Sequence, residues 1–145
     1  MYNNSSTIGD MGEAVAIAEF VKRGVCVLTP FGQNVPYDLV IHINNQFLRI
    51  QCKTCQKVNE IGSMKFNICR TDGFTGSHKQ YTKNDIDYFC LYCVENNYIG
   101  LVPVEETGSR AFTIRTQMPQ NNQMAGIHHA DDYTFDKQLK LIMTQ

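Results

Sequence analysis

The sequence has no apolar run long enough to cross a bilayer. Its opening residues, Met1-Tyr2-Asn3-Asn4-Ser5-Ser6, lack the basic start and apolar stretch of an export signal. Both absences lead to the expectation of a soluble, cytoplasmic protein in a reducing compartment, with no membrane partner. The six cysteines are then expected to be free thiols, because disulfides persist mainly in oxidising compartments. No internal repeat, low-complexity tract or linker divides the 145 residues, so residues 1–145 read as one domain around one core. Nor is there an excess of positive charge: 13 Lys and Arg stand against 14 Asp and Glu. That excludes a protein coated in positive potential.

What charge there is lies unevenly. Residues 49–83 carry Arg49, Lys53, Lys57, Lys65, Arg70, Lys79 and Lys83 against only Glu60 and Asp72, a local +5 on a chain whose remainder carries −6. One basic region on an otherwise acidic molecule suits a single face that meets nucleic acid, and equally a solvated charged surface.

Apolar spacing predicts a helix over residues 5–23, capped by Ser5, Ser6 or Thr7, with Met11, Ala14, Val15, Ala18 and Val21 at helical intervals and Gly24 as its stop. Val25–Thr29 reads as a strand, and Pro30–Asn34 as a loop. Tyr37–Ile43 and Gln46–Thr54 read as a hairpin about Asn44-Asn45, since Asn tolerates positive φ. Lys65–Arg70 reads as the third strand of that meander, followed by a polar loop over Thr71–Lys83. Ile86–Cys93 and Tyr98–Val104 form a second strand pair, Ala111–Thr116 another strand, 117–132 a loop, and Tyr133–Met143 a closing helix. The expected class is α/β, a mixed sheet flanked by helices.

The first hairpin carries the chemistry. With Asn44-Asn45 as a two-residue turn, Ile43 faces Gln46, Leu39 faces Ile50 and Asp38 faces Gln51. Lys53, two residues on, joins the face of Gln51. A register slip of one residue would destroy the grouping. The other face carries Leu39, Ile41, Ile43, Leu48, Ile50 and Cys52, which explains the packing and leaves the polar trio unexplained. Hard oxygen donors from Asp38 and Gln51 suit Mg²⁺ better than zinc. Phosphodiester hydrolysis uses such an ion to polarise phosphate and activate water, with an ammonium such as Lys53 orienting that water or offsetting charge on the phosphorane. The alternative is that Asp38 and Lys53 form an exposed salt bridge.

Two other patterns compete. Cys52-x-x-Cys55 and Cys90-x-x-Cys93 have the spacing of zinc ligands. They fall in strand-like sequence, however, where residues i and i+3 point to opposite faces, so the expectation is structural thiols rather than zinc. His128-His129 with Asp131-Asp132 reads as the approach to a helix rather than a metal site. Tyr81 and Phe74 are candidate stacking or groove residues.

Pro36-Tyr37-Asp38 and Gln51-Cys52-Lys53 resemble the PD-(D/E)XK nuclease superfamily, whose pattern is an Asp at the start of one strand and an acidic residue-x-Lys on the next. The chain is similar in particular to the small endonucleases related to those encoded in group I introns. The segments that carry this include Gly12-Glu13-Ala14, Pro30-Phe31-Gly32, Arg49-Ile50-Gln51-Cys52-Lys53-Thr54, Ile86-Asp87-Tyr88-Phe89, Leu101-Val102-Pro103-Val104 and Asn121-Asn122-Gln123. Gln51 departs from the usual Glu or Asp and leaves the set one carboxylate short.

The resemblance implies a restriction-endonuclease-like fold and a Mg²⁺- or Mn²⁺-dependent DNA endonuclease, homing-type or site-specific. Asp38, Gln51, the main-chain carbonyl of Cys52 and Glu13 would hold the metal, and Lys53 would assist the nucleophile. Double-stranded DNA is the implied partner, with Lys57, Lys65, Arg70, His78, Lys79 and Lys83 as its contacts. A chain this small implies a homodimer or higher homo-oligomer for a double-strand cut. The alternatives are a structure-selective nuclease like Holliday-junction resolvases, and a catalytically inactive DNA-binding or assembly module with the same fold.

Overall fold

Helix α1 (Ser5–Lys22) starts where the Asn4 side chain accepts the Thr7 N–H at 2.8 Å, one residue before the expected caps. It ends at Arg23, with Gly24 following in the left-handed region at φ 74°. The computed structural model describes residues 4–72, 74–117, 121 and 125–145. Among these, no helix is long and apolar enough to cross a membrane.

The face that α1 buries differs from the one its periodicity suggested. Gly12, Ala16 and Phe20 are buried, whereas Met11, Ala14, Ala18 and Val21 are exposed and Val15 is half-buried. The helix is apolar nearly all round, so spacing alone does not choose a face. Close approach does: the small residues Gly12 and Ala16 let the helix settle onto the sheet.

The remaining elements follow in order: β1 (Cys26–Leu28), β2 (Leu39–Ile43), β3 (Gln46–Cys55), β4 (Ser63–Asn67), β5 (Arg70–Thr71), β6 (His78–Lys79), β7 (Tyr88–Cys93), β8 (Ile99–Pro103), β9 (Ala111–Arg115), β10 (His128–His129) and α2 (Phe135–Met143). A five-stranded mixed sheet has the order β1-β2-β3-β7-β8, in which β3 and β7 are parallel and the other neighbours antiparallel. One face packs under α1 and α2 through Phe20, Leu39, Ile41, Ile50, Leu101 and Phe135. The opposite face packs against a second sheet, β10-β9-β4, through Met64, Phe66, Phe89, Leu91, Phe112 and Ile114.

The strand β4 therefore does not extend the first meander, as its position after the hairpin suggested. It leaves that sheet and pairs with β9, Phe66 opposite Phe112. Its alternation, with Met64 and Phe66 buried and Lys65 and Asn67 exposed, fits the edge of either sheet. Only the distant partner strand decides between them. The polar stretch 71–83 holds the short hairpin β5–β6, and the expected loop 117–132 lies partly outside the described residues, ending in β10 and the 3-10 turn Ala130–Tyr133.

Candidate active site

The β2–β3 register is the one the turn predicts. Asn44 and Asn45 both adopt positive φ, 50° and 59°, and Ile43 pairs with Gln46 through to Leu39 with Ile50. One residue further, the Asp38 N–H donates to the Ile50 carbonyl at 2.9 Å. There β2 stops, because Pro36 and the loop before it lead the chain away, while β3 runs on to Cys55 beside β7 alone.

That mismatch in length creates the site. Beyond Ile50 the β2-side edge of β3 has no backbone neighbour, and the Asp38 carboxylate stands in for one, its Oδ2 accepting the Cys52 N–H at 2.8 Å. Backbone groups alternate sides along a strand. The Ile50 carbonyl faces β2, and the Arg49 and Cys55 carbonyls accept from Asp87 and Val94 on the β7 side. By that alternation the Cys52 carbonyl points to the open edge, next to Asp38.

Glu13 arrives from the helix. Gly12 lies so close to β3 that an added Cβ would collide with Thr54 Oγ1. This contact seats α1 with Glu13 beside Asp38, and both line a cavity of about 390 Å³ walled by Thr29, Pro30, Gln33 and Tyr37 from the loop before β2. Phe31, in that loop, is fully exposed. On the other side of the strand, Lys53 extends over the ring of Tyr81, 5.5 Å from its centroid. Tyr81 is buried and packs edge-on against Phe89, so it is a support beneath Lys53 and not the surface residue its sequence context suggested.

Every charge in this group is held in poor surroundings. Burial raises the Asp38 carboxyl above its ordinary range, against the Cys52 N–H and Lys53, which lower it. Burial also raises Glu13, with Asp38 and then Asp10 adding to the effect. Burial depresses Lys53, opposed by Asp38 and Cys69. Asp38 and Lys53 thus feel one another electrostatically while half-buried, which replaces the idea of an exposed salt bridge. The Asp38 and Glu13 carboxylates and the Cys52 carbonyl are hard oxygen donors of the kind that suits Mg²⁺ or Mn²⁺, and the Gln51 amide oxygen could add a fourth. Among the described residues no cluster of three His, Cys, Asp or Glu forms.

The basic residues read from the sequence separate into groups. Lys65 and His78 line one cleft. Arg70 and Lys79 face each other across β5–β6. Lys83 is engaged with Glu105 at 2.9 Å and with Asp87, and Lys57 lies exposed past the end of β3. Arg49 is bound to the buried Asp87 and to the carbonyls of Lys83 and Asn84, which fixes where β7 begins beside β3.

The cysteines pair across strands rather than within their motifs. Cys52 lies opposite Cys90 on the helix side of the sheet, and Cys55 opposite Cys93 on the other, so each C-x-x-C is split as strand geometry requires. Burial pushes the Cys55 thiol up to about 12, with contact to Cys93 adding to it. Sequence reasoning missed Gly12 and Tyr81 as supports. The adjacency of Gly12 to Glu13 was the one available signal.

Comparison with known proteins bears on this arrangement. A family model described as PD-(D/E)XK endonuclease matches residues 3–136. In its fold the chain is similar to a bacterial homing endonuclease, I-Ssp6803I, with a TM-score of 0.74 and 24% sequence identity over 98% of this chain and 95% of that one. A second solved structure, MepB, gives a TM-score of 0.45 at 14% identity over 87% of this chain and 89% of that one. No curated protein sequence matches.

Proposed function

The chain belongs to the PD-(D/E)XK endonuclease family, and from that premise we propose that it hydrolyses phosphodiester bonds of double-stranded DNA with a divalent metal held on the β2–β3 hairpin. One observation carries the reading: the Asp38 carboxylate occupies the place of a missing strand beside Cys52, with Glu13 next to it. Asp38, Glu13, the Gln51 amide oxygen and the Cys52 carbonyl would hold Mg²⁺ or Mn²⁺. When bound, such an ion supplies Lewis-acid polarisation of the phosphate and activation of water. Lys53, its ammonium steadied over Tyr81, hydrogen-bonds the attacking water and offsets negative charge on the phosphorane. Tyr37, Gln33 and Thr29 wall the cavity on the carboxylate side. Gln51 contributes no charge, so the site binds its metal less tightly than one with a third carboxylate.

The likeness to I-Ssp6803I supports a site-specific, homing-type enzyme over a junction-selective one. We take the chain to act as a single domain, with two or more copies meeting on a duplex to cut both strands.

Supercoiled plasmid incubated with wild type and with Lys53→Ala, each with Mg²⁺ and with chelator, tests the chemistry. Wild type should nick or linearise DNA only with Mg²⁺, and Lys53→Ala should be slower by about 100-fold or more. Identical, metal-independent background in all four reactions would remove the nuclease reading. Cleavage of four-way junctions in preference to linear duplex would replace the homing-type reading with the junction-selective one.

A further inference from the structure

A second site includes Cys69, whose thiol is near enough to Lys53 to act on its charge. The floor is the outer face of the β4–β9 pair: Met64, Phe66, Phe112 and Ile114 point inward and are buried, which leaves Lys65, Asn67 and Ala111 facing out. The β5–β6 hairpin rises beside that face and contributes His78, with Cys69 at its foot and Arg110 leading into β9. The six residues enclose a cleft of about 430 Å³.

The composition of the cleft selects its ligand. Lys65 and Arg110 are cationic, no carboxylate lines the space, and among the described residues neither forms an ion pair. Elsewhere the chain matches many of its cations internally: Arg23 with Asp136, Arg49 with Asp87, Lys83 with Glu105 and Lys137 with Asp132. The polar groups are oriented as well. Asn67 Oδ1 accepts from the Cys69 N–H at 3.2 Å and from its Sγ at 3.0 Å, which leaves the Asn67 NH₂ as a donor. His78 Nδ1 contacts Cys69 Sγ at 3.4 Å, which holds the ring in the wall of the cleft. The small Ala111 keeps the floor open. Cys69 and Tyr81 both belong to the electrostatic neighbourhood of Lys53, so the cleft adjoins the proposed cleavage centre.

We propose that this cleft, with Lys65, Arg110 and the Asn67 amide as its donors and His78 in its wall, binds a backbone phosphate of the DNA at a position removed from the bond that is cut. The proposal rests on the nuclease reading for its ligand. Phosphate contacts of this kind fix register and supply affinity without reading sequence. Arg110 and Asn67 thereby join the residues that meet DNA, outside the basic stretch in one case and uncharged in the other.

The test uses the full chain in chelator, where binding is measured without cleavage. Duplex affinity is followed against salt for wild type, Lys65→Ala, Arg110→Ala and the double variant. Losing the one phosphate contact should reduce the magnitude of the slope of log K against log[salt] by about 0.9, with weaker binding for every sequence tried. An unchanged slope and affinity in the double variant would overturn the proposal.

Alkylation gives a readout that needs no variant. Duplex should protect Cys69 from a small maleimide and leave the exposed Cys26, on the far edge strand, reactive. Equal modification of Cys69 with and without DNA would also overturn it. Protection by inorganic phosphate as strong as by duplex would reassign the cleft to free anions. If no DNA is cut under any condition while the slope still depends on Lys65 and Arg110, the nuclease reading fails and the cleft stands.

Discussion

Glu13 and Glu19 stand on the same helix, and their surroundings push them in opposite directions. Glu19 is held below the ordinary carboxylate range, chiefly by its hydrogen bond to Arg23. Arg23 also reaches Asp136 at 2.7 Å, so this cluster ties α1 to α2 with its charges matched. Glu13 is raised by burial, and further by Asp38 and Asp10. Its neighbour Asp38 is raised by burial as well. One carboxylate is hydrogen-bonded to its counter-charge, while the other pair has only Lys53, whose pull on Asp38 does not offset burial. Charge that stabilises a fold is compensated within it; charge gathered for a ligand is left short until the ligand comes.

Variants can break that contrast or sharpen it. The largest effect is expected from Asp38→Asn. Cleavage should fall by about 10³-fold in a single-turnover nicking assay, since a principal metal ligand loses its charge. The melting temperature in chelator should not fall, because the amide oxygen still accepts the Cys52 N–H and the cost of burying the Asp38 charge is gone. A melting temperature that drops along with activity would make Asp38 a structural residue like Glu19.

Glu13→Gln comes next, with an expected loss of about 10- to 100-fold in cleavage and an unchanged or higher melting temperature. Glu19→Gln gives the smallest effect: cleavage within about twofold, and a stability loss of at most about 1 kcal/mol by denaturant titration.

The pH dependences should differ in sign. Glu19 has a folded pKa below its ordinary 4.5, so its contribution is present above that value and fades as pH falls through the folded one. The stability gap between wild type and Glu19→Gln should close in acid. Asp38 has a folded pKa above 3.8, so ionising it costs stability as pH rises through the folded value. In chelator, Asp38→Asn should gain on wild type from acid to neutral pH. Parallel pH profiles for the two variants would erase the distinction.

Much of the hairpin was legible because its determinants are local. Asn44-Asn45 set the turn, alternation set the buried face, and together they fixed the register as far as Leu39 opposite Ile50, which brings Asp38 to the edge of β3. The pairing of β7 with β8 was legible for the same reason, through the short connection at Glu95-Asn96-Asn97. What lay hidden depends on distant partners. Parallel pairing of β3 with β7 leaves no turn to read, and β4 could be assigned to β9 only through its long-range register. The buried stripe of α1 was misread because the exposed stripe is equally apolar and the contact is made by Gly12. Tyr81 looked like a surface aromatic because its loop is polar, yet its ring fills the space beneath Lys53.

The central claim is that the open edge of β3 beside Asp38 holds a divalent metal, and Gln51 gives the most direct way to measure it. Calorimetric titration with Mn²⁺ should be made on wild type, Gln51→Glu and Asp38→Asn without DNA. The expected order is tightest for Gln51→Glu, which restores a carboxylate, then wild type, then Asp38→Asn weaker by about tenfold or more. The same Mn²⁺ affinity in all three proteins would contradict the account, since a metal indifferent to both residues is not bound on this hairpin.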